Sequence, residues 1–280
     1  MKQAILFLTH KTDRYIKKRF EKIKKDTTDV ADVYIMTDKP EIFDETWWTI
    51  ISFNESDISE LRNKRILNYG MDIARVGLKK ILEKNLTKKY LYYWLIEYEV
   101  YYCWNWKDIF TINDDADLIA THVKKFYEKG QKEWEWWYSF SWPKNFDNKN
   151  LLRCFLPLYR ISKKWVLVLQ NELEGDSSWS WHFECVIPAV LICNNCTISE
   201  LGGSSEFTPK SRERKFYKSY PWVLDAWVGT FRWVPHIIFF SRNKILYHPY
   251  KDLLRRIKSM EHLFLRIKKI ARYIWIYRGR

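Results

Sequence analysis

The stretch YLYYWLIEYEV, residues 90–100, decides the fold. Its first seven residues are aromatic or aliphatic without a polar interruption, which is typical of a strand that is buried on both faces of a parallel sheet. Glu97 and Glu99 follow at once. Ligands of parallel α/β sheets bind beyond the carboxyl ends of the strands. The stretch therefore predicts both a central strand and the place of a polar site.

Outward from this strand, the first half of the chain alternates strand and helix patterns. Asp13 can cap a helix that carries Ile16, Phe20 and Ile23, and Ser59 can begin another that runs to about residue 82. Further buried strands are predicted at residues 4–8, 33–36, 49–53 and 118–120. This alternation predicts an α/β fold with a mostly parallel central sheet flanked by helices.

The second half is less regular. We expect a helix at residues 157–172, a turn and a buried segment at 182–192, short strands at 230–233 and 245–248, and a basic amphipathic helix at 252–276. Because no Gly/Ser linker interrupts the chain, residues 1–280 are interpreted as a single domain.

Charge and aromatic content leave three classes of partner open. The chain has 48 basic and 34 acidic residues, a net charge of +14, and 16 tryptophans. Nucleic acid, an anionic membrane or a phosphate-rich substrate would each fit the charge. Rings beyond the needs of a core can stack on sugars or bases. The alternative function is accordingly a single-stranded nucleic-acid-binding protein with a basic, aromatic surface, although no RNP, KH or zinc-knuckle pattern is present.

Cysteine usage and hydropathy bear on location. Five cysteines outside a short secreted scaffold favour a reducing compartment. No apolar run approaches the roughly 20 residues that span a bilayer. We expect a cytoplasmic protein, with peripheral membrane contact through residues 252–280 as an option.

The carboxylates of Glu97 and Glu99 point to cation chemistry. Mg²⁺ and Mn²⁺ take carboxylate oxygens and share them with substrate phosphates. The competing interpretation is two solvated glutamates at a strand end. P-loop and dinucleotide motifs are missing from the sequence, which removes the main support for those two classes.

The sequences YWLIEYEVYYCWNWKDIF (residues 93–110) and DADLIATHV (residues 115–123) resemble small GT-A-type glycosyltransferases. They are similar in particular to the xylosyltransferase-like enzymes that build capsid glycans of large algal viruses, whose acidic-aromatic-acidic triplet often ends in Asp where this chain has Glu99. The resemblance implies a GT-A-like domain, a UDP-sugar donor such as UDP-xylose, a glycan or glycoprotein acceptor, no nucleic acid partner, a Mn²⁺ or Mg²⁺ cofactor and, for a viral protein, the host cytoplasm. It divides the chain into a nucleotide-sugar half (1–125), an acceptor half (126–251) and a basic helix (252–280).

Site residues follow from the strand ends, from side-chain chemistry and from the same resemblance. A metal would be held by Glu99, Glu97 and His248, with Glu99 the better ligand. Arg232 could bind phosphate through its planar donor fork or form a surface ion pair. The expected nucleotide and diphosphate ligands are Thr9, His10, Asp38, Glu97, Arg232, His248 and Lys251.

Catalysis by inversion needs a carboxylate that takes the proton of the acceptor hydroxyl. The resemblance places Glu184 in this role, in a His-x-Glu turn, with Asp176 as the rival base. His182, Trp179 and Trp181 would then hold the acceptor. The competing interpretation of Glu184 is a buried, paired residue that starts a helix.

Overall fold

The computed structural model describes residues 3–43, 48–54, 56–57, 76–77, 79–128, 131, 137, 146–174, 183–217 and 244–248. Its strands are β1 (Gln3–Leu8), β2 (Ala31–Thr37), β3 (Ile50–Ser52), β4 (Tyr92–Glu97), β5 (Tyr101–Tyr102), β6 (Leu118–Lys125), β7 (Leu152–Ser162), β8 (Ile198–Glu200) and β9 (Leu246–Tyr247). Its labelled helices are α1 (Arg14–Thr27), α2 (Lys107–Phe110), α3 (Lys163–Glu174) and α4 (Phe183–Cys193).

Seven strands form the central sheet in the order β3-β2-β1-β4-β7-β6-β8. The pairs β2–β3, β1–β2, β1–β4 and β6–β8 are parallel, whereas β7 is antiparallel to both β4 and β6. Six of the seven strands therefore run in one direction. The predicted α/β class, a mostly parallel central sheet flanked by helices, is confirmed.

Strand β1 shows how the sequence divides the core between the two faces of the sheet. Ala4, Leu6 and Leu8 are buried in one apolar cluster, together with residues of α3 and α4. Ile5 and Phe7 are buried in the other cluster, which includes the apolar side of α1. Side chains alternate along a strand. A continuous apolar run can therefore fill both clusters only when helices cover both faces.

Helix α1 begins where the sequence predicts. The carboxylate of Asp13 accepts hydrogen bonds from the backbone amides of Tyr15 and Ile16, at 3.1 and 3.2 Å. These bonds satisfy amides that have no partner within the helix. Ile16, Phe20 and Ile23 lie on the buried side of the helix, as their spacing requires.

The predicted helix at residues 157–172 is wrong in its first part. Residues up to Ser162 belong to the eleven-residue strand β7, and the helix α3 begins only at Lys163. β7 lies between β4 and β6 and is buried on both faces. It therefore lacks the period-two pattern that marks a half-exposed strand. Its periodicity does not distinguish it from a buried helix.

The buried segment predicted after residue 182 is the helix α4, which contains Pro188. The short strand predicted at residues 245–248 is present as β9. The predicted start of a helix at Ser59, the strand at 230–233 and the helix at 252–276 lie outside the described residues. Within the described part of the chain, no helix is both long and apolar enough to cross a membrane.

Asp117 joins three strands at the edge where the parallel strands begin. Its carboxylate accepts hydrogen bonds from the Ser162 hydroxyl at 2.7 Å and the Thr197 amide at 3.0 Å. Its own amide donates to the Thr197 hydroxyl at 3.0 Å. Burial alone would raise the pKa of Asp117, but these hydrogen bonds outweigh it and the pKa is lowered. Asp117 thus ties the start of β6 to the end of β7 and the start of β8.

We expect Asp117→Ala to destabilise the protein by about 3 kcal/mol, because it leaves buried donors without an acceptor. Asp115→Ala is the matched control, since Asp115 is exposed and should change stability by less than about 0.5 kcal/mol. Urea unfolding of both variants measures the difference. Equal stabilities of the two variants would contradict this role of Asp117.

Candidate functional site

The ends of the parallel strands form what we call the carboxyl edge of the sheet. Glu97 ends β4, and Thr9 and Asp38 directly follow β1 and β2. β1 and β4 are in register with Leu8 opposite Glu97. The structure therefore brings these polar positions together at one edge, which is where α/β sheets bind ligands.

Glu97 is in contact with His248. Nε2 of His248 lies 3.2 Å from Oε2 of Glu97, although the two residues are 151 positions apart in sequence. The pairing of β5 with β9, in which Tyr101 lies opposite Tyr247, carries His248 to this position. The ring of Phe155 packs against the imidazole with a centroid distance of 5.3 Å. The late histidine and the first carboxylate of the triplet thus belong to one site.

Glu99 lies in a different environment. Lys11 donates to the Tyr98 hydroxyl at 2.6 Å, and its Nζ is 4.0 Å from Oε1 of Glu99. The same hydroxyl donates to Oε1 of Glu99 at 3.2 Å. Arg19 donates to the Tyr98 carbonyl, and the His10 ring packs edge-on against the Tyr98 ring. Tyr98 therefore separates the two carboxylates, with Glu97 toward His248 and Glu99 toward Lys11.

The side chains after β1 have distinct functions. The Thr9 hydroxyl donates to the Lys11 carbonyl and accepts from the Lys11 amide, so it shapes the loop. Burial, reinforced by the charge of Lys11 and opposed by that of Asp38, lowers the pKa of His10. A neutral imidazole at pH 7 can donate and accept a hydrogen bond at once. His10 can therefore take part in a contact as both a donor and an acceptor.

Glu184 lies in the first turn of α4 and reaches the same edge. Its Oε1 accepts from the Leu156 amide at 3.3 Å. Burial raises the pKa of Glu184 to about 7; the charge of Arg153 and the Leu156 amide oppose the rise, Glu97 adds to it, and His248 opposes it. The carboxyl is therefore close enough to Glu97 and His248 for their charges to act on it. Its pKa suits a group that gains and loses a proton near neutrality.

Arg153 is fixed beside this carboxyl. Its Nε and Nη2 both donate to Oε1 of Gln131, at 3.0 and 2.7 Å, and the residue is 1% exposed. A buried guanidinium stabilises the charged form of a neighbouring carboxylate. Arg153 therefore keeps the pKa of Glu184 lower than burial alone would leave it.

Two site residues escape prediction from the sequence. Lys11 follows the β1 strand end by three positions, so the strand-end argument could have found it. Arg153 is a lone arginine in the apolar run LLRCF, residues 151–155, and a charge in such a run signals a buried partner. Of the remaining candidates, Asp176, Trp179, Trp181, His182, Arg232 and Lys251 lie outside the described residues.

The donor set partly fits a divalent metal. Glu97 and His248 supply one carboxylate and one imidazole within 3.2 Å of each other, a pair of ligands that Mn²⁺ accepts. Glu99 lies against Tyr98 and Lys11 instead. Among the residues that the structure describes, no group of three or more His, Cys, Asp or Glu side chains could hold a metal ion. A metal at this pair would need further ligands from a substrate.

No protein-family model and no curated protein matches the sequence. Among solved structures, the chain is similar to the galactosyltransferase LgtC in complex with donor and acceptor sugar analogs, with 10% identity, a TM-score of 0.42, and coverage of 71% of this chain and 73% of that one. It is also similar to the inositol-1-phosphate CTP transferase from T. maritima, with 8% identity, a TM-score of 0.41, and coverage of 72% and 85%. By name, both of those proteins are transferases.

The raised pKa of Glu184 predicts a pH-dependent stability. Its pKa in the folded protein, about 7, exceeds the ordinary glutamate value of 4.5, so the folded state binds the proton more tightly than the unfolded state does. The contribution of this proton to the stability of the folded state is fully present below pH 4.5 and is lost as the pH rises through 7. Glu184→Gln should therefore gain stability relative to the wild type between pH 5 and pH 8, by roughly 2 kcal/mol. Urea unfolding at both pH values measures this; a constant difference would contradict it.

Proposed function

We propose that the protein is a GT-A-like glycosyltransferase that moves a sugar from a nucleotide-diphosphate donor to a glycan acceptor, with Glu184 as the general base. The observation that carries this proposal is the contact between Glu97 and His248 at the carboxyl edge, whose charges both act on Glu184, a carboxyl with its pKa raised to about 7. Transfer to a hydroxyl needs a proton acceptor beside a place that binds the leaving diphosphate. Glu184 would be the proton acceptor, and Glu97 and His248 would bind the diphosphate through a divalent cation.

The proposed donor site lies between the ends of β1, β2 and β4. His10 and Asp38 would contact the nucleoside, and Lys11 would face the diphosphate. Lys11 has its charge held in place by Tyr98 and Glu99, so little reorganisation is needed when negative charge develops on the leaving group. The resemblance to capsid-glycan enzymes makes UDP-xylose the first donor to test, and a glycan or glycoprotein the expected acceptor.

A divalent cation is part of the proposal. Glu97 and His248 would hold it together with diphosphate oxygens, and Glu99 would act through Tyr98 and Lys11 unless donor binding moves it. When bound, such an ion neutralises the charge of the leaving diphosphate. Arg232 and Lys251 stay candidates for binding the same diphosphate, Arg232 through its planar donor fork and Lys251 because its segment resembles a late motif of this family.

On the acceptor side, Glu184 takes the proton of the attacking hydroxyl. The bond from the Leu156 amide fixes the orientation of the carboxyl, and Arg153 favours its ionised form. Direct attack on the anomeric carbon inverts its configuration. Asp176 is the rival base, and His182, Trp179 and Trp181 would position the acceptor sugar.

We expect Glu184→Gln to lower kcat by at least about 100-fold, the usual contribution of a positioned base. It should leave donor binding unchanged, because the amide keeps the shape of the carboxyl. Wild-type kcat/KM should rise with pH up to about 7 and then level off, and the residual activity of the variant should lack this step. UDP-sugar hydrolysis and transfer assays at several donor concentrations and pH values measure the turnover and its pH dependence.

Glu21→Gln is the matched control, because Glu21 is an exposed carboxylate on α1. Wild-type turnover by Glu184→Gln with an unchanged pH profile would reject Glu184 as the base. Proton NMR of the first product gives the anomeric configuration, and retention would contradict direct attack.

A second prediction concerns the cation. We expect Glu97→Ala and His248→Ala each to weaken Mn²⁺ binding in the presence of UDP by at least 10-fold, since each removes one of two protein ligands. Glu99→Ala should weaken it less and raise the donor KM instead. Calorimetric titration of Mn²⁺ separates the variants. Loss of Mn²⁺ binding in Glu99→Ala alone would reverse this assignment.

A further inference from the structure

The outer side of helix α1 faces solvent and is strongly basic. Its exposed charged residues are five cations and one carboxylate, Arg14, Lys17, Lys18, Glu21, Lys24 and Lys25, which leaves four net positive charges. An α-helix rises 1.5 Å per residue, so these charges extend over about 16 Å. We call them, together with the exposed Tyr15, the basic face of α1.

Ion pairing distinguishes the basic face from the flank of the same helix. On the flank, Lys22 forms an ion pair with Asp26 at 2.5 Å, and Arg19 donates to the Tyr98 carbonyl. Four cations of the basic face have no ion pair within the described residues: Arg14, Lys17, Lys18 and Lys25. Their charges are therefore free to act on a partner outside the chain.

The positions of these charges do not serve the stability of the helix. Arg14 begins the helix, where the positive end of the helix dipole makes a cation unfavourable. Lys18 follows four positions later, so the two like charges lie beside each other and repel. The helix is stabilised instead by its buried side and by the Asp13 cap. Neutral residues on the basic face should therefore leave the fold intact.

The shape of the basic face favours an extended anionic partner. Its side chains diverge from the convex side of a helix, whereas a small anion needs donors that converge in a pocket. A lipid surface can lie against a convex face, and each Lys or Arg near that surface adds to the attraction. Tyr15, which is 59% exposed in the first turn, adds an amphipathic ring of the kind that is enriched at membrane interfaces.

A single nucleic-acid strand fits this surface less well. Such strands bind in basic grooves where several aromatic rings stack on successive bases. Among the residues of α1, all of which the structure describes, Tyr15 is the one exposed ring. The other ring of the helix, Phe20, is buried in the core. The observations therefore favour a lipid surface over a nucleic acid.

We propose that the basic face of α1 docks the protein on a membrane surface that contains anionic lipids. The cations contact lipid phosphates, and the Tyr15 ring lies between the headgroups. Five residues separate the end of β1 from the start of α1, so docking brings the membrane close to the carboxyl edge. This contact is separate from the one that the sequence predicts for residues 252–280, and it does not depend on the reaction proposed above.

The test measures co-sedimentation of the 280-residue chain with vesicles of phosphatidylcholine and phosphatidylglycerol, and with vesicles of phosphatidylcholine alone. The test variant neutralises three cations of the basic face: Arg14→Gln, Lys18→Gln and Lys25→Gln. The matched control has the same net charge and neutralises three exposed lysines outside α1: Lys84→Gln, Lys149→Gln and Lys210→Gln.

We expect the wild type to prefer the anionic vesicles and to release them as the salt concentration rises. The test variant should bind about 100-fold more weakly, because each cation near the lipid surface contributes about 5-fold. The matched control should stay within about 3-fold of the wild type, since distant charges are screened. Thermal melting should show that both variants are folded.

Equal binding by the test variant and the matched control would overturn the proposal, because total charge or residues 252–280 would then explain the attraction. A wild type without preference for anionic vesicles would do the same. Fluorescence anisotropy with a single-stranded oligonucleotide covers the nucleic-acid alternative: oligonucleotide binding that the test variant loses, without vesicle binding, would also overturn it. A chain that docks but does not act on UDP-sugars would reject the proposed function alone.

Discussion

The pairing of β7 with β4 on one side and β6 on the other is the constraint on which the rest of the structure depends. It is the one reversal in a sheet whose other strands run in a single direction. Because β7 is eleven residues long, it reaches from the edge where the parallel strands end to the edge where they begin. Its first half delivers Arg153 and the Leu156 amide to Glu184, and its last residues place Arg160 at the opposite edge, where Arg160 donates to the carbonyls of Asp114 and Ala116. One strand thus supports a basic residue at each edge.

The fold of the first half could be predicted because local and global signals agree there. β1, α1, β2 and β4 each show their apolar pattern, cap or strand-end carboxylate in a short window. β7 could not be predicted in the same way, since its two buried faces erase the alternation that identifies a strand. Its neighbours along the sheet, β4 and β6, are distant in sequence, and only their arrangement shows that residues 152–162 fill a gap between them.

The residues of the candidate site also differ in whether a short window of sequence predicts them. Glu97, Glu99, Thr9, His10 and Asp38 follow from strand ends alone. That Glu97 and His248 share one site could be predicted only through the resemblance, because 151 residues separate the pair. The tryptophans show the limit of composition: Trp94 and Trp165 are fully buried and Trp106 is 3% exposed. These three rings belong to the core, whereas Trp104 is 44% exposed, so the position of each ring and not the tryptophan count decides whether it can face a ligand.

The pKa of Glu184 depends on the meeting of four separate segments. The residue itself comes from α4, the Leu156 amide and Arg153 from β7, Glu97 from β4, and His248 from the residue after β9. Burial and Glu97 disfavour the carboxylate, while Arg153, the amide and His248 favour it. If burial acted alone, the group would stay protonated at neutral pH and could not accept a proton. If Arg153 and the Leu156 amide dominated, the carboxylate of Glu184 would be too weak a base. The opposing charges must therefore be positioned together, and a sheet with one reversed strand brings them to the same edge.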